Sequence, residues 1–127
     1  MKTILAVDDS GTMRELIEFV LSSAGFRVVL AHDGLDALVQ LGECKPDIII
    51  TDMNMPRMDG LRFIKHARSL EAGRSTPIVV LSSETDLDKQ ALARSYGAAD
   101  WLSKPFNPIH LLQTVQRLTA TRASVAA

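Results

Sequence analysis

Cysteine is nearly missing from this sequence of 127 residues: Cys44 stands alone, which excludes an internal disulfide and any cysteine-cluster zinc site. Histidine is scarce too, and His32, His66 and His110 have no metal-ligand spacing to one another, so they read as surface or cap residues. A surplus of charge is lacking as well. The 14 Lys+Arg and 15 Asp+Glu leave a formal net charge of −1, which gives no electrostatic ground for nucleic-acid binding. No apolar run approaches the roughly 18 residues that a membrane-spanning helix needs. The acidic pair Asp8-Asp9, so near the N-terminus, does not fit a signal peptide. Internal repeats and low-complexity linkers are absent. Together these absences point to a soluble cytoplasmic domain with neither a membrane nor a nucleic-acid partner.

What is present is an ordinary globular balance, 46% hydrophobic and 23% charged, in a length that suits one compact domain over 1–127. Five short apolar runs alternate with five amphipathic patterns. The runs are Thr3 to Val7, Arg27 to Ala31, Asp47 to Thr51, Pro77 to Leu81 and Ala99 to Leu102. Three are continuously apolar and rich in Ile and Val, the pattern of strands buried on both faces; the last is mixed and predicts an edge strand. Helical spacing joins Met13, Leu16, Ile17, Val20 and Leu21; then Leu35, Leu38 and Val39; then Leu61, Ile64 and Ala67. A fourth helix is predicted from about Asp86 to Tyr96, ending at Gly97. A fifth follows Asn107-Pro108 and carries Ile109, Leu112, Val115 and Leu118. Strand and helix in alternation predict an α/β fold, a five-stranded parallel sheet with helices on both faces. The stretch 119–127 is small and polar and is expected to fray. The chain is expected to be a free-standing domain.

In an open parallel α/β sheet, ligands bind beyond the carboxyl ends of the strands. Asp8 and Asp9 follow the first run, Asp52-Met53-Asn54-Met55-Pro56 the third, Ser82-Ser83-Glu84 the fourth and Lys104-Pro105 the fifth. If the first and third strands are neighbours, Asp8, Asp9 and Asp52 converge, and their mutual repulsion raises their pKa values unless a cation is present. Oxygen donors without His or Cys suit magnesium (Mg2+), which takes remaining ligands from water and phosphate. That points to phosphoryl chemistry, with an aspartate as a competent nucleophile, Lys104 as a point charge and Ser82 as a hydrogen-bond donor.

Val7-Asp8-Asp9-Ser10, Ile50-Thr51-Asp52-Met53-Asn54-Met55-Pro56, Met58-Asp59-Gly60, Leu81-Ser82-Ser83-Glu84 and Lys104-Pro105-Phe106 resemble the receiver domain of two-component response regulators, in order and over essentially the whole chain. The length and the stretch Asp8 to Arg14 are most similar to the single-domain chemotaxis members. The resemblance implies a flavodoxin-like, three-layer α/β/α architecture with strand order 2-1-3-4-5. It implies Asp52 as the phosphoacceptor, served by a sensor histidine kinase of the chemotaxis type. It implies Mg2+ on Asp8, Asp9, Asp52 and the backbone carbonyl of Asn54, with Asp8 acting through water. Ser82 and Lys104 would hold phosphoryl oxygens, and Lys104-Pro105 would be a cis peptide. Asn54 and Glu84 fall at positions that tune self-dephosphorylation. Trp101 falls at the aromatic switch position, usually Tyr or Phe, and Ser82 stands where Thr is commoner. Phosphorylation would switch the surface of helix four, strand five and helix five of a monomer, to engage an output protein such as a flagellar motor switch component.

Simpler readings stand beside these. Asp8-Asp9 can be a polar turn, Asp59-Gly60 is read as a turn before a helix, Ser82 or Ser83 can cap the fourth helix, and Arg62, Lys65 and Arg68 form a solvated face at helical spacing. Tyr96 packs near a helix end, Cys44 has no role, and Met53, Met55 and Met58 fill gaps. Two rival functions are a phosphatase-like hydrolase with an aspartyl nucleophile and a degenerate receiver that only binds. Asn54 stands where such a hydrolase has its second acid, and the complete set of Asp8, Asp9, Asp52, Ser82 and Lys104 argues against a relic. No phosphate-binding loop of the flavodoxin or P-loop kind follows the first strand.

Overall fold

The computed structural model describes residues 1–126, with side chains described up to residue 120. Five strands, β1 (Thr3–Val7), β2 (Arg27–Ala31), β3 (Ile48–Thr51), β4 (Ile78–Ser82) and β5 (Asp100–Ser103), form one sheet. All neighbours are parallel and the order is β2-β1-β3-β4-β5. The three continuously apolar runs are the three central strands, and every one of their residues is buried. The mixed run containing Trp101 lies on the edge, as does β2.

Side chains of a strand alternate between faces, and the core divides accordingly. Leu5, Val7, Ile49, Ile78 and Val80 turn to one side and meet Phe63, Ile64 and Ala67 of α3 (Gly60–Ser69), Ala37 and Leu41 of α2 (Gly34–Cys44) and Ala93 of α4 (Leu87–Ser95). Ile4, Ala6, Ile48, Ile50, Val79 and Leu81 turn to the other and meet Ile17 and Leu21 of α1 (Gly11–Ser22) and Leu111 and Val115 of α5 (Pro108–Ala126). Each fully buried aliphatic side chain contributes about 1.5–3 kcal/mol to this three-layer packing.

The helices begin where short polar side chains can cap them. Ser10, Asp33, Asp59 and Asp86 each accept a backbone N–H from the first turn that follows, and Asn107 Oδ1 does the same for Ile109 and His110. Asp86 therefore caps α4, and neither Ser82 nor Ser83 does.

Three helix faces differ from the periodicity. In α1, Leu16 is 43% exposed, while Ile17 and Leu21 are buried. In α2, Leu35 and Val39 are 46% and 58% exposed, while Gly34, Ala37 and Leu41 are buried. In α5, Leu111 is the buried leucine and Ile109 is 67% exposed. Spacing identifies an amphipathic helix but not which of two adjacent stripes meets the sheet, and small residues allow the closer approach. At Thr119, where fraying is expected, α5 continues: Thr119 is buried and its hydroxyl donates to the Val115 carbonyl at 2.8 Å. The end of the expected frayed stretch, residue 127 and all side chains beyond residue 120, lies outside the described residues.

Candidate functional site

The parallel ladders run one residue past β1 and β3. Asp8 N donates to Ala31 O at 3.1 Å, Asp52 N to Val7 O at 2.9 Å, and Lys104 N to Ser82 O at 3.0 Å. Because β1 and β3 are neighbours with Val7 opposite Thr51, the residues that follow them emerge side by side. The carboxylates of Asp8, Asp9 and Asp52 each offer an oxygen, all within 4.8 Å of one another. Asp8 and Asp52 are buried and Asp9 is exposed.

Lys104 bridges the cluster from the end of β5. Its ammonium lies 2.7 Å from Asp8 Oδ2 and 3.2 Å from Asp52 Oδ2. Burial alone pulls the Lys104 pKa down, but the hydrogen bond to Asp8 and the charges of Asp52 and Asp8 outweigh it, and the net direction is upward. The remaining oxygens are also engaged: Ser10 N donates to Asp8 Oδ1 at 2.9 Å and Met53 N to Asp52 Oδ1 at 2.6 Å. The Arg14 guanidinium donates to the Asp8 backbone carbonyl at 2.6 Å. Three carboxylates thus face one ammonium, an imbalance that a hard divalent cation with oxygen ligands would relieve, so the residues fit Mg2+.

The loop carrying Asp52 folds back on itself. Gly60 N donates to Met53 O at 2.7 Å, and a Cβ on Gly60 would stand 2.4 Å from the Asp52 carbonyl, so only glycine fits. Asp59-Gly60 is the turn expected, and Asp59 also caps α3; Met53 is buried, and Met55 and Met58 pack on the core. Asn54 is exposed in this loop. Ser82 is fully buried at the end of β4, with Oγ accepting from Glu84 N at 3.1 Å. The Glu84 carboxylate is held by Lys89 Nζ at 2.6 Å, and that hydrogen bond depresses its pKa. Lys104-Pro105 is a cis peptide. Trp101 is half-buried against the side of the sheet covered by α2, α3 and α4, and its buried Nε1–H has no hydrogen-bond partner among the described residues.

Two features escaped the sequence. The turn at Ala31-His32-Asp33-Gly34 is more than a turn: buried Asp33 caps α2 and also accepts from Arg57 Nε at 2.7 Å, which ties β2–α2 to the loop bearing Asp52. Arg57 sits at φ 66°, in the left-handed region. Asp33 has a depressed pKa, chiefly from the Asp36 N–H, with burial opposing and Arg57 assisting. The second feature corrects the solvated-face reading of Arg68. Its guanidinium donates to the carbonyls of Gly73 (2.7 Å), Thr76 (2.6 Å) and Gly97 (2.7 Å), and burial lowers its pKa. An Asp ahead of Gly hints at a cap; nothing local in the sequence marks a distant carbonyl.

Comparison with known proteins gives concordant matches. A family model for the response regulator receiver domain matches residues 4–116. The Pseudomonas aeruginosa protein PilG is 36% identical over 113 residues, covering 89% of this chain and 84% of PilG. The response regulator MprA of Mycobacterium ulcerans is 38% identical, and there the matched region covers 91% of this chain but only 49% of MprA. Among solved structures, the chemotaxis protein CheY4 of Vibrio cholerae superposes with a TM-score of 0.88 at 42% identity, covering 93% of this chain and 98% of that one. The receiver domain of sensor histidine kinase PA1611 from Pseudomonas aeruginosa, solved with a magnesium ion coordinated in its active site cleft, gives 0.86 at 31% identity, covering 94% and 98%.

Proposed function

The chain belongs to the response regulator receiver domain family, and from that premise we propose that it is the phosphoryl-accepting switch of a two-component relay, with Asp52 as the acceptor. One observation carries the reading: a nearly buried carboxylate at the mouth of the sheet lies 3.2 Å from an ammonium and within 4.8 Å of two further acids.

An Asp52 carboxylate oxygen attacks the phosphorus of a phosphohistidine on the sensor kinase. A P–O bond forms, the P–N bond breaks, and the imidazole leaves. Lys104, already poised between Asp8 and Asp52, takes up the negative charge of a phosphoryl oxygen. Ser82 accepts its one hydrogen bond from Glu84 N, which leaves its O–H to be donated to a second oxygen. Mg2+, held by Asp8, Asp9, Asp52 and the carbonyl of Asn54, would supply neutralising charge on the phosphoryl group. Asn54 and Glu84 border the route of the water that later cleaves the acyl phosphate, so they set its lifetime.

The response is a shift between two existing arrangements. Drawing Ser82 and Lys104 toward the new dianion moves the loop after β4, and Trp101 follows. An unpaired buried N–H costs about 1–3 kcal/mol, so the resting position of the Trp101 ring holds a donor that a rearranged neighbourhood can satisfy. The altered surface is α4, β5 and α5. The chain's likeness to the chemotaxis protein CheY4 favours a chemotaxis-type kinase and an output protein such as a flagellar motor switch component, with the chain acting as a cytoplasmic monomer. Among the described residues no helix is long and apolar enough to cross a membrane.

Acetyl phosphate with Mg2+ tests the reading by intact mass. The expected product is an adduct of about 80 Da, not formed when a chelator replaces Mg2+ and absent in Asp52→Asn. An adduct that persists in Asp52→Asn would overturn the assignment.

A further inference from the structure

Between α3 and α4, on the side of the sheet opposite α5, runs an open groove of about 510 Å³. Its floor is apolar and aromatic: Leu61, Leu92 and Tyr96. Its α3 rim carries Arg62, Lys65 and His66, all exposed. Neither Arg62 nor Lys65 makes an ion pair among the described residues; Lys65 Nζ instead lies 6.0 Å from the centroid of the Tyr96 ring. One acid, Asp59, also lines the groove, and its Oδ1 accepts from Arg62 N at 2.9 Å as the α3 cap; the chain as a whole is close to neutral, at −1, so two cations against this single carboxylate leave the groove with a local positive excess.

We propose that this groove docks an acidic peptide segment of another protein, with apolar side chains seated on Leu61, Leu92 and Tyr96 and carboxylates meeting Arg62 and Lys65. Shape and charge both argue for it. The lining runs from the N-cap of α3 to Ser69, the length of a ten-residue helix, about 15 Å. That favours an extended or helical segment over a compact small molecule. Tyr96 is a partly buried aromatic at the end of α4, the kind of rigid anchor that dominates such contacts. Exposed cations on the rim steer an acidic partner and set its salt dependence. The inference is independent of the phosphoryl reading, because none of these residues lies in the carboxylate cluster.

The probe is a fluorescein-labelled peptide of Glu and Asp with Leu and Phe spaced i, i+3 and i+4, beside an otherwise identical peptide with Gln and Asn for the acids. The acidic peptide binds, added salt weakens it, and the amide version binds at least tenfold more weakly. The double variant Arg62→Glu, Lys65→Glu weakens the acidic peptide at least tenfold; both residues are exposed, and circular dichroism confirms an unchanged fold. Amide shift changes centre on Leu61, Leu92 and Tyr96. Undiminished binding by the double variant, or shifts confined to β5 and α5, overturns the proposal. So does a concentration-dependent self-association in sedimentation that the double variant abolishes. In that case the occupant is a second copy, whose α1 offers Glu15 and Glu18 beside exposed Leu16 and Phe19.

Discussion

Lys104 occupies the place in the carboxylate cluster where additional positive charge is most wanted. Its ammonium is shared between Asp8 at 2.7 Å and Asp52 at 3.2 Å, so a divalent cation entering the cluster meets both attraction from three acids and repulsion from this one base. At a few ångströms and an effective dielectric near 20, such a charge pair is worth several kcal/mol before solvent and relaxation reduce it. Lys104→Met therefore tightens Mg2+ binding by roughly tenfold, about 1.4 kcal/mol, while impairing capture of the phosphoryl group. Calorimetric titration with Mg2+ measures the first effect and intact mass the second; weaker Mg2+ binding by the variant would show that the ammonium organises the acids rather than competing with the ion. Asp8, Asp9, Asp52 and Lys104 could be found from the sequence because each falls within two residues of the end of an apolar run, so locating the strand ends locates them. Asp33 with Arg57 could not, because the contact spans two loops that only the folded sheet edge brings together.

At the scale of elements, the alternation of apolar runs and amphipathic stretches carried the architecture, since central parallel strands must be apolar on both faces. It did not carry helix orientation: Leu16, Leu35, Val39 and Ile109 were expected inward and point outward, because the choice between adjacent stripes is settled by packing that has no local signature. The least anchored helix is α4, with Ala93 as its only buried residue and Leu87 76% exposed. Few buried contacts make an element easy to displace, which suits a part of the proposed switching surface. Its C-terminal end is fixed instead by Arg68, through Gly97 O, to the turn at Gly73 and Thr76. Gly97 has φ 102° and a Cβ there would lie 2.8 Å from Arg68 Nε, so the clamp requires glycine. Arg68→Met strands three carbonyls, costs roughly 1–3 kcal/mol of stability, and speeds amide exchange across residues 96–98. Arg68→Lys does not restore protection, because a single ammonium cannot reproduce the planar fork. Unchanged exchange in the methionine variant would show that packing alone holds the end of α4.

For the molecule as a whole, the carboxyl edge of the sheet is fastened by two charge ties, Lys104 across β1, β3 and β5, and Arg57 across β2–α2 and β3–α3. The second makes global stability depend on acid. Asp33 is faced by the Asp36 N–H, the Arg57 guanidinium and the His32 imidazole at 3.2 Å, and His32 in turn lies 3.5 Å from the Asp36 carboxylate. These hold its pKa below the ordinary 3.8, with the Asp36 N–H the largest cause and burial opposing. A carboxyl depressed in the folded state binds fewer protons there than in the unfolded chain. Its contribution is therefore complete above pH 3.8 and is lost as pH falls from that value through the lower folded one. Asp33→Asn keeps a side-chain oxygen for the α2 cap and removes the charge together with the second oxygen that accepts from Arg57. At neutral pH the variant is less stable by roughly 1 kcal/mol, a figure limited by the exposure of Arg57 to solvent. In denaturant unfolding at stepped pH, the gap between wild type and variant remains open down to about 4 and closes below it. A gap that persists undiminished into acid would mean that the carboxylate's charge contributes nothing and that Asp33 serves α2 as a neutral cap would.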